Sequence, residues 1–172
     1  MCLYVNTKYH SPDADVGYVP KVADRDILVY KVLHMDGAFY YTPYAGFPVY
    51  FDSGRAELVP RRSVYDPDGT LKLDAEPASL SARLDFAGCL CVEYGIHAFT
   101  MKLAAALAQD RLKGIDAMNE LCGGPESDYV LCKAIIPKGS KYFVGEDCDI
   151  VSDRLVIFAA DPDLDAEELN LS

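Results

Sequence analysis

Few residues in this chain have side chains that do chemistry, and they are scattered. Cys2 follows Met1, and removal of Met1 would set its thiol beside a free α-amino group titrating at about 8, able to serve as its own base. The competing reading is a packed thiol on a first strand, Cys2-Leu3-Tyr4-Val5. Cys89-x-Cys91 with His97 is the nearest approach to a metal cluster, since residues two apart on a strand share a face. Structural zinc asks for a wider Cys spacing and a second pair, so no metal is expected and the thiols read as core. His97 is the single polar side chain of Ile96-His97-Ala98-Phe99 and stands just before a helix start, where the dipole disfavours its charged form. Tyr41, Tyr44, Phe47 and Tyr50 are suited either to a small-molecule pocket or to cross-strand packing. Phosphate-binding glycine loops, the dinucleotide fingerprint, His-Glu-x-x-His, Gly-x-Ser-x-Gly and EF-hand loops do not occur.

The elements that must position these residues are mostly strands. Ile27 to His34 is dense in β-branched and aromatic residues, and Asp36-Gly37 turns it into Ala38 to Thr42, a hairpin. Val49-Tyr50-Phe51 reads as a short strand. The polar stretch from Tyr9 to Asp26 reads as loop, and Arg55 to Asp85, broken by Pro60, Asp66-Pro67-Asp68-Gly69 and Pro77, as short strands or ordered loop. Thr100 is the expected N-cap of a helix over Met101 to Lys113, with Leu103, Ala104, Leu107, Ala108 and Leu112 as its apolar face. Lys102, Gln109, Asp110 and Lys113 point elsewhere, Gly114 closes the helix, and Ile115 to Cys122 forms a second short one. Tyr129 to Ile136, Lys141 to Val144, Ile150-Val151 and Leu155 to Phe158 are further strands. Strands on both sides of one main helix, without regular alternation, argue for a single α+β domain over 1–160 with a mostly antiparallel or mixed sheet. Residues 161–172 form an acidic tail.

Composition bounds the function. The chain has 172 residues and 51% hydrophobic residues, enough for one core. Its formal charge of -11 repels phosphate backbones, so direct nucleic-acid binding is not expected, whereas a basic protein partner would be attracted. Neither a membrane span nor a secretory leader is legible, and the 6 cysteines read as reduced thiols of a cytoplasmic protein, Cys132 and Cys148 in apolar or strand-like surroundings.

Taken together, Met1-Cys2-Leu3-Tyr4-Val5, Val29-Tyr30-Lys31-Val32-Leu33, Tyr41-Thr42-Pro43-Tyr44, Gly95-Ile96-His97-Ala98-Phe99 and Ile136-Pro137-Lys138-Gly139-Ser140-Lys141-Tyr142 resemble a family of small proteins of bacteriophages and Bacteroides-type gut bacteria. That resemblance carries a source and no activity. The order of strand, small-residue strand, helix and Ile-Pro-Lys-Gly strand pair also looks like the ADP-ribosyltransferase core. That likeness implies NAD bound between strands, with Lys31 or His34 on the first strand, Thr100 near the middle and Glu146 near the end, although the family's first-strand Arg and its Glu-x-Glu pair are missing. The expected function is that of an accessory protein binding a host or phage protein, without a cofactor. The alternative is a small enzyme or ligand binder around His97, Tyr41, Tyr44 and Thr100, with Cys2 and Glu146 as further catalytic candidates and NAD as its conceivable cofactor.

Overall fold

The hairpin expected around Asp36 organises the fold. A computed structural model of the chain describes residues 3–13, 17–43, 46–62, 76–84, 90–121, 128–146 and 148–159. Short strands β1 (Leu3–Tyr4), β2 (Pro12–Asp13), β3 (Gly17–Tyr18) and β4 (Lys21–Val22) precede the long β5 (Ile27–Asp36), which returns as β6 (Phe39–Tyr41). Asp36 pairs with Phe39, so the turn residues are Gly37 and Ala38, one position later than the dipeptide suggests. Gly37 has φ +57 while Ala38 keeps a negative φ, the pattern of a two-residue turn with glycine first. Then follow β7 (Pro48–Val49), β8 (Arg55–Leu58), β9 (Arg61–Arg62), β10 (Glu76–Pro77), β11 (Ser81–Leu84), β12 (Leu90–Tyr94) and β13 (Ile96–Phe99). The helix α1 (Lys102–Leu121) leads into β14 (Asp128–Ile136), β15 (Lys141–Val144), β16 (Asp149–Ser152) and β17 (Leu155–Phe158). The expected tail lies outside the described residues.

One antiparallel sheet carries the structure, in the order β4-β15-β16-β13-β5-β14-β17-β8, with β6 and β7 attached beside β5. Strand alternation gives it two faces. Val29, Leu33, Ala56, Ile96, Ala98, Cys132, Ala134, Ile136, Ile150, Leu155 and Ile157 share the inner face and form the largest core cluster. No described helix covers that face, yet Val29, Leu33, Ala134, Ile136, Leu155 and Ile157 are 0% exposed, so the sheet curls over its own side chains. The outer face has two covers. α1 lies over Tyr30, Val32, Phe99, Tyr129 and Leu131, and the three-stranded sheet β1-β12-β11 lies over Phe143 and Val151. This is the single α+β arrangement expected from sequence.

Several local expectations are corrected. The helix runs through Gly114 as one element instead of stopping there, and Ile115 belongs to it. Its buried face is Ala105 and Leu112, whereas Leu103 and Leu107 are 65% and 62% exposed. Ala105 and Leu112 are two turns apart and meet the sheet; Leu103 and Leu107 lie well over a quarter turn round the axis from them. Gln109 also turns to the sheet, its amide donating to the Tyr129 carbonyl at 2.6 Å, and the Tyr129 hydroxyl returns to the Asp116 carboxylate at 2.7 Å. Thr100 does not cap the helix. Its hydroxyl and its amide both donate to the Cys148 carbonyl, and the first helical bond runs from Ala105 to the Met101 carbonyl. Cys148 sits in a bend with φ +60 rather than in a strand, and the strand expected at Val49-Tyr50-Phe51 is shifted to Pro48–Val49. The stretch from Tyr9 to Asp26 contains β2, β3 and β4, and Leu90–Tyr94 is a strand that includes Cys91.

Two features fix the covers. The buried His10 ring donates from Nδ1 to the Val19 carbonyl and accepts the Val144 amide on Nε2 at 3.0 Å, tying the first residues to β15. Gly95 lets the chain pass from the small sheet to the large one, for a methyl group there would overlap Val151 Cγ1 and come within 2.8 Å of Leu80 Cδ1. Among the described residues no helix is long and apolar enough to cross a membrane. Gly95→Ala is expected to destabilise the fold by about 1–3 kcal/mol through overpacking. Urea titration checks this; an unchanged midpoint would show that the two sheets do not need that close approach.

Candidate functional site

β5 is paired unequally along its two edges. On one side β14 accompanies it without interruption from Ile27 to Met35. On the other side β13 meets it only at Tyr30, opposite Phe99, and β6 takes over at His34, opposite Tyr41. Lys31, Val32 and Leu33 therefore have no ladder partner on that edge, and the sheet parts there. A cleft of about 720 Å³ opens along the parting. Strands four places apart in the sheet, β8 with Leu58 and β13 with Ile96 and His97, line it together because the sheet curls. Tyr41, Phe47 and Tyr50 form the aromatic part of the wall on the hairpin side, and Ala108 and Leu112 of α1 line it as well.

Lys31 is the residue that this geometry singles out. By strand alternation it shares the inner face with Val29 and Leu33, directly across from Cys132, and it is only 7% exposed. Its amine donates to the main-chain carbonyl of His97 at 2.6 Å, bridging the two strands where their ladder stops. No carboxylate lies within ion-pair distance of it among the described residues. Of the acids lining the cleft, Glu57 is paired with Arg154 and Glu93 with Arg83. Burial pushes the Lys31 amine down to about 8. His97 is half-buried and faces the other side of the sheet with Phe99 and Val151. Burial, reinforced by the nearby Lys31 charge, lowers it to about 3, so its ring is neutral at physiological pH.

Of the residues singled out from sequence, Tyr41 and His97 line the cleft. Thr100 and Glu146 are exposed and do not line it. Thr100 ties the end of β13 to the bend before β16, and Glu146 stands in the turn after β15. Tyr44, Cys2 and Cys89 lie outside the described residues. Cys91 is buried, and among the described residues no three His, Cys, Asp or Glu side chains gather as a metal site. His34, the other first-strand candidate, is held between the rings of Tyr41 and Tyr129 on the helix side, at 6.1 and 5.4 Å. Lys31 entered the sequence reading only through a family resemblance, although a plain signal marks it. Ile27, Val29, Lys31 and Leu33 occupy one face of a strand apolar on both faces, and a lysine there is anomalous. No protein-family model, curated protein or solved structure matches the chain.

His97 and Lys31 make stability depend on pH in separate windows, and the buried His10, lowered by desolvation, adds to the acid one. His97 has a folded value of about 3, below its unfolded 6.5. Its contribution is complete above 6.5 and is lost as pH falls from there towards 3. Lys31 falls from 10.5 to about 8 on folding, so the unfolded chain binds more protons between these values and stability rises with pH across them. Urea midpoints measured from acid to alkaline pH are expected to show both limbs, with His97→Gln flattening the acid one and Lys31→Met the alkaline one. An alkaline limb unchanged in Lys31→Met would mean that the amine is not buried as described.

Proposed function

We propose that the chain binds a small molecule with an apolar body in the cleft beside Lys31. The observation that carries this reading is a buried amine, without a carboxylate partner among the described residues, in the wall of a ligand-sized opening. Binding sites for small molecules are concave, mostly apolar and furnished with a few placed polar groups, and their volumes run from about 300 to 1,000 Å³. The tyrosines and Phe47 supply flat apolar contact, while Lys31 and the tyrosine hydroxyls supply the polar ends. A dinucleotide suits this charge pattern poorly. The chain carries a formal charge of -11, and a diphosphate would meet net repulsion. A neutral ligand meets no such penalty.

Filling the opening tests the reading. Ala108 projects from α1 into the cleft wall, and Ala108→Phe is expected to weaken binding of neutral aromatic fragments at least about tenfold, a loss of roughly 1.4 kcal/mol. Ligand-observed NMR measures the affinities, with circular dichroism confirming that the variant stays folded. Equal binding by both proteins, or no saturable binding by the wild type, would overturn the proposal.

A second reading, binding to another protein, is favoured by the outer stripe of α1. Leu103, Leu107 and Met118 are 65%, 62% and 70% exposed on a chain of net charge -11, which suits a partner with an apolar patch inside a basic rim. The phage- or mobile-element-related accessory protein anticipated from sequence, with a host or phage protein as its partner, would use this surface. A wild-type bait should recover from host extract one basic protein that a Leu103→Glu/Leu107→Glu bait loses; identical recovery by the two baits sinks this reading.

A further inference from the structure

We propose that Lys31 is a carbonyl-capturing residue, whose amine condenses with an aldehyde or ketone held in the cleft to form an imine. This rests on the ligand-binding reading and names the class of ligand. The geometry supplies three requirements together. Lys31 is more than nine-tenths buried and is one of the residues that line the cleft, so a carbonyl compound filling the opening comes up against this residue. Among the described residues its one hydrogen-bond partner is the His97 carbonyl, which accepts from the amine and leaves the nitrogen lone pair uncommitted once a proton is lost. No carboxylate among the described residues holds it as an ammonium ion.

Burial then acts in the same direction. A desolvated lysine is the environment in which an amine becomes nucleophilic near neutral pH. At about 8, against 10.5 for an ordinary lysine, Lys31 has a free-amine fraction about three-hundredfold larger than an exposed lysine at neutral pH. The reaction balances without an oxidant or reductant. The nitrogen lone pair attacks the carbonyl carbon to give a carbinolamine. The two amine hydrogens then leave with the carbonyl oxygen as one water molecule, and a carbon–nitrogen double bond remains. Where the amine starts as an ammonium ion, one proton first passes to solvent, and the neutral imine that follows no longer carries a buried charge. The aromatic wall formed by Tyr41, Phe47 and Tyr50 suits an aromatic or unsaturated carbonyl compound.

The test uses the full chain with benzaldehyde and, as a matched compound that cannot condense, benzyl alcohol. Sodium cyanoborohydride traps the imine, and peptide mapping by mass spectrometry locates the benzyl group. Lys31 is expected to be labelled at least about tenfold faster than any other lysine. Lys31→Met and Lys31→Arg should both lose that adduct, the arginine while keeping the positive charge. Saturable binding of benzyl alcohol with labelling spread evenly over surface lysines would overturn the imine and leave the binding reading standing. Binding of neither compound would overturn both. Should Lys31→Met fail to fold, Lys31→Arg and the wild-type labelling pattern decide the matter.

Discussion

The long strand β5 is held firmly on one edge and divided on the other, and most of the structure follows from that inequality. Nine consecutive residue pairs join it to β14, which fixes its register from Ile27 to Met35. Its opposite edge has to serve both β13, which comes in at Tyr30, and β6, which the Gly37-Ala38 turn delivers to His34. A two-residue turn leaves β6 no freedom to retreat, and β13 is committed to β16 over four pairs, from Ile96 opposite Ser152 to Phe99 opposite Asp149. Neither can cover Lys31 to Leu33. Backbone groups left unpaired in a protein interior are costly, and the Lys31 amine meets part of that demand by bonding to the His97 carbonyl.

The same residue makes the parting chemically unusual. Lysine is among the residues least often buried, and here it occupies a position that its neighbours Val29 and Leu33 fill with hydrocarbon. Nearby polar contacts keep the rim in place. The Gln109 amide and the Tyr129 hydroxyl clamp α1 to β14, and His10 clamps the first residues to β15. With both covers pinned, the cleft between them is a fixed feature of the architecture, bounded by regular elements on several sides. A binding site built on strands and a helix is held more closely than one built on loops.

How far this was legible depends on the kind of signal. The β5–β6 hairpin, the strands Ile96–Phe99 and Leu155–Phe158 and the presence of one main helix follow from composition and periodicity in short windows. The orientation of α1 does not. Its sequence offers two apolar stripes, Leu103 with Leu107 and Ala105 with Leu112, and the bulkier one is the natural choice by hydrophobicity. The sheet surface under the helix carries Tyr30, Val32, Phe99 and Leu131, and the small Ala105 permits the close approach that Leu103 would block. His97 and Tyr41 were singled out as polar or amphipathic residues within apolar strands, and both line the cleft. Thr100 and Glu146 were singled out by position in a resemblance, and both are exposed.

By itself the sequence determined which segments are strands, where the principal turn falls and that a helix follows Phe99, since these depend on residues within a few positions of one another. It also placed a lysine in register with inward-facing hydrocarbons. Only the tertiary structure decided that β13 would leave β5 after a single pair and that β8 would curl round to face it. Those outcomes depend on competition among strands far apart in the chain for one edge. No local pattern encodes the result of such a competition, and the cleft and its buried amine exist because of it.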